Sequence, residues 1–268
     1  MTAVLIVYAA LVGLAVGSFL NVVVGRVPAH RSLLTPSRCD SCDTPIRAWQ
    51  NVPVVSWLVL GGRCHECHAA IGVRSPIVEA GTGAAFAAIT AWTGTVTDGT
   101  LGRVLLAVAL CAFAAVSIAL ALIDLDTHRL PDAVVGPAYP LVLVLLAATS
   151  GATGDWAALA RGAAGLVALT LAYYAVHVVR PDGMGFGDVK LAGLIGLVTG
   201  YVGWGALAVG AFAAFVLAGG YGVALIATGR AHRRSGLAFG PWMLAGGWLG
   251  LVVGAPLASG YLQVSGLS

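Results

Sequence analysis

The chain has 268 residues, of which 59% are hydrophobic and 9% charged, and its mean hydropathy is +0.93. Soluble domains carry about 25% charged residues, so an ordinary soluble fold is excluded and an all-α, multi-pass membrane protein is expected. The net charge of +3 gives no reason to expect a nucleic acid partner. About eight apolar segments approach the roughly 20 residues that cross a bilayer: 2–24, 76–92, 104–123, 133–148, 156–179, 191–204, 206–228 and 239–262. The sixth is short and contains glycine. Trp92, Trp156 and Trp204 near segment ends suit an interfacial belt. The first segment lacks a basic start and a small-residue cleavage site, which predicts a retained helix and no cleaved signal.

The basic residues set an orientation. Arg26, Arg31, Arg38, Arg47, Arg63, Arg74, Arg129, Arg180, Lys190, Arg230, Arg233 and Arg234 fall on one side, and only Arg103 and Arg161 on the other. The positive-inside rule places the larger set in the cytoplasm and both termini outside. The connections that hold Asp124 and Asp188 then share the cytoplasmic face.

The loop over 25–75 is the only long connection. It holds Cys39-Asp-Ser-Cys42 and Cys64-His-Glu-Cys67. Two such knuckles offer four thiolates, which predicts a small zinc ribbon inserted after the first helix. Two disulfides are the alternative, disfavoured in a reducing cytosol. His65 and His68 are possible substitute ligands, and Cys111 reads as a core residue. Metal would stabilise a loop this poor in apolar residues. Trp49, Val54, Val55, Trp57 and Leu58 could form a small core or press on the membrane, and the basic rim suits anionic headgroups.

The acids carry the chemistry. Asp188 stands in Gly185-Phe-Gly-Asp188, just before an uncharged apolar segment. A carboxylate near membrane depth is a functional candidate; the bland reading is a helix cap. Asp124 ends a second apolar run and is expected to lie deeper than Asp126 and His128, which should face water. Asp132 suits the first turn of the next helix. Glu79 is an acid within an apolar helix, in snorkelling reach of the cytosol. Asp98 and Asp155 read as loop charges, His177 as interfacial, and Lys190 as a positive-inside anchor that could hold a substrate carboxylate.

Asp124 and Asp188, 64 positions apart, could form a hydrolytic dyad. Two close carboxyls share one proton, and the ionised one activates water while the other protonates the substrate carbonyl. The same pair would serve a proton-coupled transporter, although no matched half-chain repeats are evident. An inactive zinc-ribbon scaffold would leave both acids unexplained.

Several motifs together resemble the type IV prepilin peptidases (prepilin leader peptidase/N-methyltransferases) among the GxGD membrane aspartyl proteases. They are Gly17-Ser-Phe-Leu-Asn-Val-Val-Val-Gly-Arg-Val-Pro28, the paired knuckles around Asn51-Val-Pro-Val-Val-Ser-Trp-Leu58, Arg74-Ser-Pro-Ile-Val-Glu79, Ile123-Asp-Leu-Asp-Thr-His-Arg-Leu-Pro-Asp132, Gly183-Met-Gly-Phe-Gly-Asp-Val-Lys-Leu191 and Phe239-Gly-Pro241. Asp40, Ser75 and Asp182 depart from the family's usual residues. The resemblance implies Asp124 and Asp188 as the catalytic pair and cleavage of the basic leader of prepilins or pseudopilins, between glycine and phenylalanine. It also implies methylation of the new N-terminus with S-adenosylmethionine, which not every member performs, and a bacterial inner-membrane location. The expected parts are a first helix over 1–24, the zinc-binding loop over 25–75, and the membrane peptidase over 76–268.

Overall fold

A computed structural model describes residues 2–97, 99–180, 183–229 and 238–265. Asp98, Asp182 and the cluster Arg230, His232, Arg233 and Arg234 lie outside the described residues. Those described form nine α-helices: α1 (Thr2–Arg26), α2 (Val55–Val59), α3 (Arg74–Val96), α4 (Thr100–Thr127), α5 (Asp132–Thr153), α6 (Trp156–Val179), α7 (Phe186–Val202), α8 (Trp204–Ala227) and α9 (Gly240–Val264). A 3-10 turn (Ala48–Asn51) precedes α2, and there is no strand among the described residues.

The eight long helices match the eight apolar segments, and most extend beyond them by a few polar residues. Among the described helices, α1, α4, α5, α6, α8 and α9 are long and apolar enough to cross a membrane. The other two have physical reasons to differ. α3 carries Glu79 and four threonines, whose hydroxyls donate to carbonyls one turn back within the helix, as Thr82 does to Val78 O at 2.7 Å. α7 has only 17 residues, but 191–201 are buried without a break, so it is enclosed by protein rather than lipid.

By packing, the chain divides at Ala119/Leu120, within α4. In the first unit α1 and α3 lie antiparallel. A Cβ on Gly13 would stand 2.8 Å from Gly83 Cα, and one on Gly17 2.7 Å from Glu79 Cα. Deeper along the same seam Phe86 and Ile89 are buried. Cys111 is also buried, as the sequence suggested.

In the second unit α6 packs on α7 and α8 on α9, each pair through glycines. Where lipid tails are as apolar as the helices, close backbone approach supplies the association energy. Gly162 and Gly165 of α6 face Gly200 of α7, and Gly210 of α8 faces Gly246 and Gly250 of α9. The C-terminus of α7 is then closed by Arg161, whose Nε donates to Gly200 O at 2.9 Å and Nη2 to Tyr201 O at 2.8 Å. A cation there satisfies orphan carbonyls and opposes the helix dipole. Asp155, read from sequence as a loop charge, caps α6 by accepting from Ala158 N at 2.9 Å.

A Cβ on Gly200 would meet Arg161 O at 2.9 Å and Gly165 Cα at 3.2 Å. Gly200→Val is therefore expected to cost about 1–3 kcal/mol, read as a lowered thermal unfolding midpoint in detergent. An unchanged midpoint would show that the α6–α7 seam can open without penalty.

Candidate active site and metal centre

The second unit brings the two singled-out aspartates together. Asp124 lies one turn before the end of α4 and is 5% exposed. Its Oδ2 accepts the backbone N–H of Gly240 at 3.0 Å, across 116 positions of sequence. Gly240 is the first residue of α9, so the carboxylate also receives the positive end of that helix. A Cβ at Gly240 would stand 2.8 Å from Asp124 Oδ2, which explains glycine at this point.

Asp188 occupies the first turn of α7 and is half-buried. Its Oδ2 accepts the N–H of Gly185 at 3.1 Å, so it caps from inside the first turn, with Gly185 rather than Asp188 at the N-cap position. Capping is not its whole role, because Asp188 also lies within electrostatic reach of Asp124. Leu130 fills the floor beside both: its side chain is 3.0 Å from where a Gly187 Cβ would be and 3.5 Å from where a Gly240 Cβ would be. The helix begins at Phe186, ahead of the apolar segment expected from 191, so Asp188 already lies within it.

Other acids and bases stand around the pair, and His128 lies within electrostatic reach of Asp124. Asp126 and His128 are exposed, as expected, and His128 takes a positive φ of 52° where α4 ends. Asp132 begins α5 as predicted, and it also pairs with Lys190 Nζ at 2.7 Å. Lys190, read from sequence as a membrane anchor, thus ties α7 to α5, and it lies 5.1 Å over the Phe186 ring. The Tyr139 hydroxyl holds the Lys190 carbonyl on the same seam. His177 Nδ1 meets Met184 O at 2.7 Å and its ring lies 5.8 Å from Phe186, fixing the turn before α7.

Sequence reasoning missed Tyr173. It is 3% exposed on α6, its ring is 6.3 Å from Phe239 beside Gly240, and it lies within electrostatic reach of Asp188. Nothing but a tyrosine inside an apolar helix signalled it.

In the first unit, Cys39, Cys42, Cys64 and Cys67 converge with their sulfurs all within 4.8 Å of one another, a set that could hold a metal ion. The two knuckles repeat one backbone design. Cys39 N donates to Thr44 O at 3.0 Å and Cys64 N to Ala69 O at 2.9 Å. The residue after each second cysteine, Asp43 or His68, has positive φ (55° and 56°). His68 is thereby used as a turn residue, and the four cysteines need no substitute ligand. All four are free thiols, with Cys39 Sγ 3.8 Å from Cys67 Sγ, so the disulfide alternative does not describe this arrangement. The Thr44 hydroxyl and backbone N–H lower the Cys42 thiol to about 6, which favours the ligating thiolate.

The small core that the loop could have formed is absent among the described residues: neither the 3-10 turn nor α2 buries a side chain fully. Instead Val55, Leu58 and Val59 are 55%, 64% and 73% exposed. Glu79, which sequence placed in reach of the cytosol, is buried, and its Oε2 accepts Val54 N–H at 2.6 Å.

Comparison with known proteins covers nearly the whole chain. Residues 11–93 match the Bacterial Peptidase A24 N-terminal domain, and 111–223 match the Type IV leader peptidase family. A protein of Pseudomonas putida named prepilin leader peptidase/N-methyltransferase is 33% identical, over 97% of this chain and 95% of its own length. Proteins of the same name from Aeromonas salmonicida and Burkholderia pseudomallei strain 1026b are each 34% identical. They cover 94% and 97% of this chain and 92% and 88% of their own lengths. No solved structure matches the chain.

Gly240→Ala is expected to push Asp124 off its amide donor, because the added methyl and Oδ2 cannot occupy 2.8 Å. Loss of a hydrogen bond to a charged acceptor costs about 1.5–3 kcal/mol. Any turnover that depends on Asp124 should fall at least tenfold while the protein stays folded and membrane-bound. Full activity in Gly240→Ala would show that Asp124 does not need this donor.

Proposed function

Because the chain belongs to the type IV leader peptidase family, we propose that it is a membrane aspartyl endopeptidase that removes the leader from prepilins or pseudopilins. The observation that carries the reading is that Asp124 and Asp188, each held by a backbone amide with Leu130 packed beside Gly187 and Gly240, lie within electrostatic reach of each other. Carboxyls that repel each other cannot both ionise cheaply, and in this reading the pair shares one proton. The ionised member takes a proton from a water molecule, whose oxygen attacks the scissile carbonyl carbon. The protonated member gives its proton to the carbonyl oxygen as the carbon becomes tetrahedral. Collapse breaks the C–N bond, with the proton taken from water passed to the departing amine. In this reading the peptidase is the segment 76–268, and 25–75 is a metal-bearing insertion after the first helix.

The relatives' name extends the proposal to N-methylation of the amine that cleavage exposes, with S-adenosylmethionine as methyl donor. The residues argued above serve the hydrolysis, and the methylation is assigned to the chain as a whole. For the metal centre, four thiolates with sulfurs 3.8 Å apart at Cys39 and Cys67 suit tetrahedral zinc, whose 2.3 Å bonds set sulfurs about 3.8 Å from each other. Cys39, Cys42, Cys64 and Cys67 would close its coordination shell, leaving it a structural role. The positive-inside asymmetry supports a bacterial inner-membrane protein with this loop and both aspartates at the cytoplasmic face. There a substrate's leader remains in water while its apolar helix remains in lipid.

Asp124→Asn and Asp188→Asn should each lower cleavage of a prepilin-like substrate in nanodiscs by at least about 10²–10⁴-fold, with normal membrane insertion. Retained turnover in either variant would refute the dyad. For the metal, Cys39→Ser should reduce the zinc measured per folded chain and raise protease sensitivity over 25–75. Wild-type protein that is folded and carries no zinc would refute the metal reading.

A further inference from the structure

The insertion exposes an apolar edge that its own fold leaves uncovered. Val55, Leu58 and Val59 occupy positions i, i+3 and i+4 of α2, so they share one side of the helix. All three are more than half exposed. Trp57 points the other way, its Nε1 donating to Ile71 O at 3.1 Å and its ring packed where a Gly62 Cβ would be, 2.9 Å away. α2 is thus a short amphipathic helix whose inner side is fixed and whose outer side is greasy.

Glu79 ties the start of this helix to α3. Asn21 Nδ2 donates to Ser75 O at 3.3 Å, a polar contact at the end of the α1–α3 seam. Glu79 lies four residues further along α3, about 6 Å deeper. At that level Gly17 of α1 presses on Glu79 Cα, and the Glu79 carboxylate takes the N–H of Val54, the residue before α2. Val54 adopts φ 61°, a conformation that is strained for a β-branched residue and persists only where its surroundings hold it. The loop is therefore drawn down beside the membrane helix rather than resting above it. Its charge agrees: residues 26–75 hold six arginines against three acids.

We propose that α2 is an interfacial helix that inserts Val55, Leu58 and Val59 into the headgroup–acyl boundary of an anionic bilayer, with Glu79 as the latch that sets its depth. An apolar face buried some 5–10 Å into that boundary, with arginines around it, is the usual form of such contacts. The proposal does not depend on the peptidase reading.

The test uses the full-length protein in nanodiscs of phosphatidylglycerol and phosphatidylcholine. A photo-crosslinking benzoylphenylalanine replaces Val59 in one sample and the exposed Glu66 of the second knuckle in another. On irradiation, mass spectrometry should find lipid adducts at position 59 at least five times more often than at position 66. Adducts at 59 should also rise with the phosphatidylglycerol fraction. Adducts at 59 to protein only, or equal lipid labelling at both positions, would overturn the proposal. Adding Glu79→Ala to the Val59 probe should reduce lipid adducts several-fold, and Glu79→Gln, which keeps an acceptor oxygen, should restore them. If both Glu79 variants label like the parent, Glu79 is not the latch.

Discussion

A carboxylate at the end of an apolar helix must find a donor or forgo its charge, and the second unit is arranged around that demand. Asp124 finds its donor in Gly240 N–H, 116 positions away at the first residue of α9. Meeting that amide requires the end of α4 and the start of α9 to touch, with glycine at the contact. It also aims a helix N-terminus at the site, where the dipole favours negative charge. Asp188 is met in the same way by Gly185 N–H at the start of α7. Each of the two aspartates is thus met by the amide at a helix start, a position that favours its ionised form.

Holding that geometry falls to side chains too small to be noticed individually. α7 is enclosed along 191–201, and the helices around it come close because glycines stand where their axes approach. At its N-terminus the Lys190–Asp132 pair and the Tyr139 hydroxyl fix it to α5. At its C-terminus Arg161 and the Ser150–Tyr201 contact at 3.1 Å fix it again. A short buried helix clamped at both ends presents Asp188 with little freedom.

Much of this was legible in the residues. Apolar runs located all eight long helices, because an uncharged stretch of that length must hide its backbone and side chains from water together, and a helix does both. The knuckle spacing located the sulfur cluster, since two cysteines per turn can hardly serve otherwise than together. The depth of Asp124 relative to Asp126 followed from the run before it. What escaped were the hydrogen-bond and ion-pair partners contributed from far along the chain: Gly240 for Asp124, Asp132 for Lys190 and Val54 for Glu79. A backbone amide has no letter in the sequence, so a donor of that kind is invisible until the chain is folded. Element ends also moved, as at Phe186, because polar residues that begin a helix carry no apolar signal.

The choice of donor follows burial. Glu79 and Asp124, both under 10% exposed, and the half-buried Asp188 take backbone amides. The ion pairs described here involve acids in water: Asp43 at 82% exposure with Arg38, and Asp132 at 72% with Lys190. Desolvating a second full charge would cost several kcal/mol. A backbone N–H must be paired somewhere in any case, so lending it to a buried carboxylate adds no new charge to desolvate. In a chain with only 9% charged residues, this spares the buried acids a second charged group. The same amide that satisfies an acid also fixes its position, so the groups able to do chemistry are held by the backbone itself.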